Sequence, residues 1–202
     1  MSFMTSFERG MEKVLVPIAI KLNSQRHIAA IRDAFILSFP LVMASSFIIL
    51  INFAILSPDG FIAKMLFLGK IFPNIASAQA IFSPVMQGSV NIMAILIVFL
   101  VARNLAISFK QDDLLCGLTA IGAFFIVYTP YEMIGGQAYI TMKFMGAQGL
   151  FVAIIVALIT GEIFCRLARS PRATIAMPAQ VPPAVARSFK VLIPVFAVMI
   201  FF

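Results

Sequence analysis

Apolar positions fall into long runs separated by short polar or proline-rich stretches. The clearest run, residues 34–56, holds 23 residues without a charge. As a helix it measures about 34 Å, against a bilayer hydrocarbon core of about 30 Å. Pro40 near its start is tolerable in a bundle whose neighbours satisfy the freed carbonyl, and Ala44, Ser45 and Ser46 predict a small-residue patch for close helix approach. Further spans are predicted over 85–102, 114–129 and 144–165. Gln87, Ser89 and Asn91 open the second and must face protein or water, and Arg103 closes it. Asp112 and Asp113 precede the third, where a carboxylate accepts orphan backbone N–H groups and complements the helix dipole. Residues 57–89 read as a long connection. It opens on the turn Ser57-Pro58-Asp59-Gly60 and carries a short interfacial helix from Phe61 to Phe72.

The two ends of the chain break this pattern. Over 3–20, Phe3, Phe7, Met11, Val14 or Leu15, and Ile18 recur at helical spacing, with Glu8, Arg9, Glu12 and Lys13 on the other face. That predicts an amphipathic helix lying in the interface or packed on the protein's own cytoplasmic side, kinked or ended at Pro17. The fifth apolar run, 191–202, gives only about 18 Å of helix. A helix terminus inside hydrocarbon leaves carbonyls unsatisfied, so the expectation is the front part of a longer protein. The predicted fold class is therefore all-α: a polytopic membrane protein with four full transmembrane helices plus a truncated fifth and an N-terminal interfacial amphipathic helix. Residues 1–33 form the cytoplasmic segment and 34–202 the membrane part.

Composition sharpens the class. Apolar residues make up 62% of the chain and charged ones 11%, too few to cover a soluble globule and too apolar a chain for disorder. The net charge of +7 fits basic residues held beside anionic lipid, not nucleic acid. Twelve basic residues fall on the N-terminal segment and the second and fourth connections, against Lys64, Lys70 and Lys143 on the other side, which predicts a cytoplasmic N-terminus. No cleavable signal opens the chain, because Glu8, Arg9, Glu12 and Lys13 interrupt any apolar run.

Candidate chemistry is sparse. No catalytic, cofactor-binding or metal-binding residue is predicted. His27 is the only histidine, so no His-based metal site forms within one chain, and its position between Arg26 and Arg32 reads as a surface or interface residue with nothing nearby to organise phosphoryl acceptance. Glu162 reads as a helix-end carboxylate paired with Arg166, four residues on. Near absence of intramembrane charge argues against a proton relay. Glu132, after Tyr128-Thr129-Pro130-Tyr131, belongs to a polar-aromatic cluster that could meet a sugar or simply be a loop ordered by Pro130, Gly135 and Gly136. Cys116 and Cys165 read as small buried hydrophobes.

Several stretches resemble the phosphotransferase-system sugar permeases, in the lactose, cellobiose and diacetylchitobiose subfamily of enzyme II component C. Arg26-His27-Ile28-Ala29-Ala30-Ile31-Arg32-Asp33-Ala34-Phe35 with Pro40-Leu41 is similar to the entry into the first span of that family. Met177 through Phe189, with Pro178, Pro182 and Pro183 before Arg187-Ser188-Phe189, is similar to the linker before its fifth span, and Gly146-Ala147-Gln148-Gly149-Leu150-Phe151 and Tyr128-Thr129-Pro130-Tyr131 also fit. Ala179 departs from a usual acidic residue and Ala34 from a common glycine. The resemblance implies a homodimer whose first five spans build scaffold and dimer interface. Later spans, absent here, would hold the β-linked disaccharide, so no sugar-binding residue is carried over. It also implies a bacterial cytoplasmic-membrane location and cytoplasmic partner components A and B, whose phosphocysteine on B modifies the emerging sugar. Two rival readings are a non-transporting regulatory or assembly subunit and a fragment of an ion-coupled transporter.

Overall fold

The protein's structure is a computed structural model that describes residues 13, 15–72, 74–128, 131–175, 177–178 and 180–202. The predicted amphipathic helix falls mostly outside these residues. Its described continuation, α1 (Leu15–Ser24), is helical straight through Pro17, because the ring's fixed φ suits a helix; the expected stop there is corrected. The chain turns instead at Gln25, whose N–H donates to the Leu22 carbonyl at 3.1 Å. Residues 15–24 are exposed throughout, so they are not packed on the rest of the chain.

Helix α2 (Arg26–Leu50) continues into a π-turn over Ile51–Leu56, and Pro40 does not end it. Short helices α3 (Phe61–Met65) and α4 (Leu68–Ile71) lead to α5 (Ile75–Gln87). A break at Gly88 and Ser89 and one 3₁₀ turn (Val90–Ile92) separate α5 from α6 (Met93–Ser108). The expected second span over 85–102 lies within the longer apolar stretch Ser77–Ser108, with this break inside it. The polar groups that were to open it sit at the break, where the Asn91 side-chain amide donates to Gln87 Oε1 at 3.0 Å, and α6 runs five residues past Arg103. A basic side chain does not stop a helix whose backbone bonds continue.

Helix α7 (Asp113–Val127) is followed by a short addition to the otherwise helical fold, an antiparallel hairpin of β1 (Tyr131–Ile134) and β2 (Gln137–Ile140) in register Tyr131↔Ile140 to Ile134↔Gln137. Gly135 and Gly136, at φ 60° and 82°, form its two-residue turn, which needs positive φ at both positions. Helix α8 (Leu150–Arg169) follows a 3₁₀ turn, and α9 (Pro183–Lys190) precedes α10 (Leu192–Phe201).

Among the described residues, three helical stretches are long and apolar enough to cross a membrane: Arg26–Met65, Ser77–Ser108 and Ala147–Arg169. Helix α7, at 15 residues, and α10, at 10, are shorter. The packed core is built by α6, α7 and α8, with α2 and α10 against it. Small side chains let these helices approach: Ala94, Ala102 and Ala106 on α6, Ala120 and Ala123 on α7, and Ala153 and Ala157 on α8 are all buried. On α2 the buried stripe is Ala30, Ala34, Ser38 and Ser45. The predicted patch is corrected, since Ala44 and Ser46 are exposed: neighbours on a helix point about 100° apart, so one of three faces inward.

Candidate functional site

Charged side chains gather at the bundle end where α2 and α7 start and α6 and α8 finish. Three long-range contacts fix that juxtaposition. The Asn104 amide donates to the Ala30 carbonyl at 3.3 Å, Arg169 Nη2 donates to the Phe109 carbonyl at 2.9 Å, and His27 Nε2 lies 2.8 Å from Glu162 Oε1.

Glu162 is the meeting point of the first cluster. Its second oxygen accepts from Arg166 Nε at 2.7 Å, the i, i+4 pair that the sequence indicates. His27, 135 residues away, completes a His27–Glu162–Arg166 set with the glutamate side chain 22% exposed. A carboxylate thus holds the His27 ring at the junction of α2 and α8, a neighbour that the sequence did not indicate. No periodicity links residues so distant in sequence.

Asp112 anchors the second cluster. It caps α7 by accepting the Leu115 N–H at 3.0 Å, as its position before the third apolar run predicts. The capping carboxylate is also gripped by Arg187 of α9, through Nε and through Nη2 at 2.8 Å. Asp113 beside it pairs with Arg103 of α6 at 3.1 Å. Burial pushes the Asp112 carboxyl up, but the Arg187 hydrogen bond, the Leu115 N–H and the Arg187 charge outweigh it and hold the group below its ordinary value. The same bond raises the Arg187 guanidinium above its ordinary value. Sequence reasoning missed Arg187; the only signal was its place in the Arg187-Ser188-Phe189 linker.

Phe109 joins the two clusters. The Arg26 and Arg169 guanidiniums lie 5.0 and 4.7 Å from its ring centroid, and the ring is buried. The turn at α6 thereby touches the starts of α2 and the end of α8. Beyond it a cleft of about 670 Å³ opens beside α9, lined by Lys110, Gln111, Asp112, Thr174, Arg187, Lys190 and apolar residues.

The opposite end differs. Tyr128 stacks on Phe144 at 4.6 Å and 11°, and a small cavity of about 250 Å³ is lined by these rings with Tyr131, Glu132 and Lys143. The polar-aromatic cluster around Glu132 thus exists as a group, on a hairpin that is exposed along its length, although Thr129 and Pro130 lie outside the described residues. Cys116 and Cys165 are buried and unbridged. Among the described residues no group of three or more metal-ligating side chains comes together.

Residues 32–202 match the family described as phosphotransferase system, EIIC. The chain is 37% identical over 98% of its length to a putative permease IIC component, YwbA, of Bacillus subtilis, covering 45% of that protein. It is 35% identical over 98% of its length to the cellobiose-specific EIIC component of Geobacillus stearothermophilus, covering 44% of it. A solved structure of the transporter ChbC, the IIC component of an N,N′-diacetylchitobiose-specific phosphotransferase system, superposes with a TM-score of 0.77 at 32% identity. It covers 95% of this chain and 44% of that one. The chain spans under half the length of these relatives.

Proposed function

The chain belongs to the phosphotransferase system EIIC family, and from that premise we propose that it is the scaffold part of a sugar permease for a β-linked disaccharide. Translocation in such a permease is coupled to phosphorylation of the sugar by cytoplasmic components A and B. The observation that carries the coupling is the distribution of charge. Among the described residues, 34–56 and α10 hold no ionisable carboxylate or amine, and the charges of α6, α7 and α8 sit toward one end. A proton-driven carrier needs such groups at membrane depth. A phosphorylation-driven one does not.

In this reading α2, the α5–α6 pair, α7 and α8 make four crossings and α10 enters a fifth. The rich basic end, with Arg26, Arg103, Arg169, Arg187 and Lys190, faces the cytoplasm of a bacterial cell, and Lys64, Lys70 and Lys143 face outward. The exposed apolar face of α2, including Ile36, Phe39 and Phe47, meets lipid and the second copy of a homodimer. Sugar handling belongs to the part of the relatives that this chain does not span, so the chain alone transports nothing.

The test is reassembly. Membranes containing this chain, the remainder of the Geobacillus cellobiose relative as a second polypeptide, and components A and B should phosphorylate and take up labelled cellobiose. Either half alone should not, and a proton uncoupler added with phosphoenolpyruvate present should change nothing. Uptake by this chain alone, or uptake abolished by the uncoupler, overturns the proposal.

A further inference from the structure

The cleft beside α9 has a composition that neither ion-pair cluster explains. Three cations line it, Lys110, Arg187 and Lys190, against one carboxylate, Asp112. Both Asp112 oxygens are already engaged by Arg187, and one also by the Leu115 N–H. Neither Lys110 nor Lys190 has a carboxylate partner within salt-bridge distance among the described residues. The cleft therefore presents two uncommitted ammonium groups. Lys110 is held there at φ 55°, a left-handed conformation that disfavours any side chain with a Cβ, so a basic residue occupies a position where the backbone alone prefers glycine.

Gln111 and Thr174 add two neutral polar groups, and the remaining wall is apolar, with Ile175, Met177, Ala186 and Val191. Its depth follows from the neighbouring helices. Helix α10 begins one residue beyond Val191 and is apolar along its whole length. Helix α9 exposes Val185 and Phe189 one turn apart while Arg187 and Lys190 line the cleft. That is the arrangement of a helix lying in the headgroup layer, apolar side down. A cleft at that depth with ammonium groups beside aliphatic wall fits an amphiphile bearing a phosphate, and a free phosphate makes no use of the wall.

We propose that the cleft formed by Lys110, Arg187, Lys190 and Val191 binds the headgroup of an anionic phospholipid. Lys110 and Lys190 take the phosphodiester, and an acyl chain runs along Val191 and Met177. The lipid holds α9 to the α6–α7 turn beside the Asp112–Arg187 bridge. This goes beyond the transport reading and needs only that the chain sits in a membrane.

The chain contains no tryptophan, so a single V185W reporter on α9 gives an unambiguous signal. We would measure its quenching by brominated phosphatidylglycerol and brominated phosphatidylcholine in bilayers of the unbrominated lipids at about 0.15 M salt, where long-range attraction is screened. The expected preference for phosphatidylglycerol is about tenfold. It should fall to near parity in K110Q/K190Q, survive in K110R/K190R, and be unchanged in K21Q, which alters a basic residue on α1. Equal quenching by both lipids in the reporter parent overturns the proposal, whatever the variants do. So does a preference that K21Q lowers as much as K110Q/K190Q, which is diffuse attraction to the surface. A preference abolished by millimolar inorganic phosphate assigns the cleft to free phosphate and overturns the lipid assignment.

Discussion

The stretches that hold α2, α6 and α8 are alike in hydropathy, yet α2 and the trio α6, α7 and α8 are differently used. The most apolar part of 26–65 is 17% buried, against 39% for 77–108 and 147–169. The trio buries alanine, glycine and threonine at its contacts and large side chains such as Phe124, Phe164 and Leu105 in the spaces between. Helix α2 touches the trio through its short stripe and turns Ile36, Phe39, Phe47 and Leu50 outward. Apolar content in lipid does not drive one helix onto another, because the tails are as apolar as leucine. Close fit does. The trio has the fit, and α2 keeps a broad face for lipid or another protein.

The sharpest break of this comparison is Gly149→Ala. A Cβ there would lie 1.8 Å from the Phe144 carbonyl oxygen, which is backbone and has nowhere to go. Seating the start of α8 against it should cost about 3 kcal/mol, read as a lowered unfolding midpoint in detergent. Next come paired truncations. Phe164→Ala, in the trio, should cost about 2 kcal/mol, because the cavity and its lost dispersion remain even when lipid replaces water as the reference. Phe39→Ala, on the open face of α2 at 59% exposure, should change the same midpoint by less than about 0.5 kcal/mol. Equal losses would mean that α2 is as tightly packed as the trio.

At the charged end, Asp112→Ala should lose the α7 cap, about 1 kcal/mol, while Asp112→Asn keeps the cap and loses only the bridge to α9. Because the Asp112 carboxyl is held below its ordinary value of 3.8, its contribution is complete above that pH and is lost as pH falls below it toward the folded value. Acid unfolding profiles should show that step in the parent and a weaker one in Arg187→Gln. The smallest effect is expected of His27→Gln, on a side chain 37% exposed, with a midpoint change near the limit of measurement at neutral pH.

Much of this architecture is legible in the sequence because helices report on themselves. The uncharged run at 34–56, the cap at Asp112 and the Glu162–Arg166 pair are all local. What stayed hidden is of three kinds. The hairpin over 131–140 carried a signal, two glycines between short β-prone stretches, but apolar context favoured a loop. The break inside the second apolar stretch, at Gly88 and Ser89, was hidden because hydropathy treats that stretch as continuous. The pairings of His27 with Glu162 and of Arg187 with Asp112 join residues 135 and 75 positions apart, and nothing periodic in a single chain encodes such distances.

The contact between His27 and Glu162 also sets an order of events during synthesis. The ring enters the membrane surface with the first long helix, and its carboxylate partner does not exist until the ribosome has added 135 more residues. Until then α2 is held by its stripe from Ala30 to Ser45, by the Asn104 amide and by Arg26 over Phe109. Packing on α6, with the Asn104 amide on the Ala30 carbonyl, already sets the rotation of α2, so a nascent chain halted before Glu162 should hold α2 docked on α6 with the His27 ring still waiting for its carboxylate.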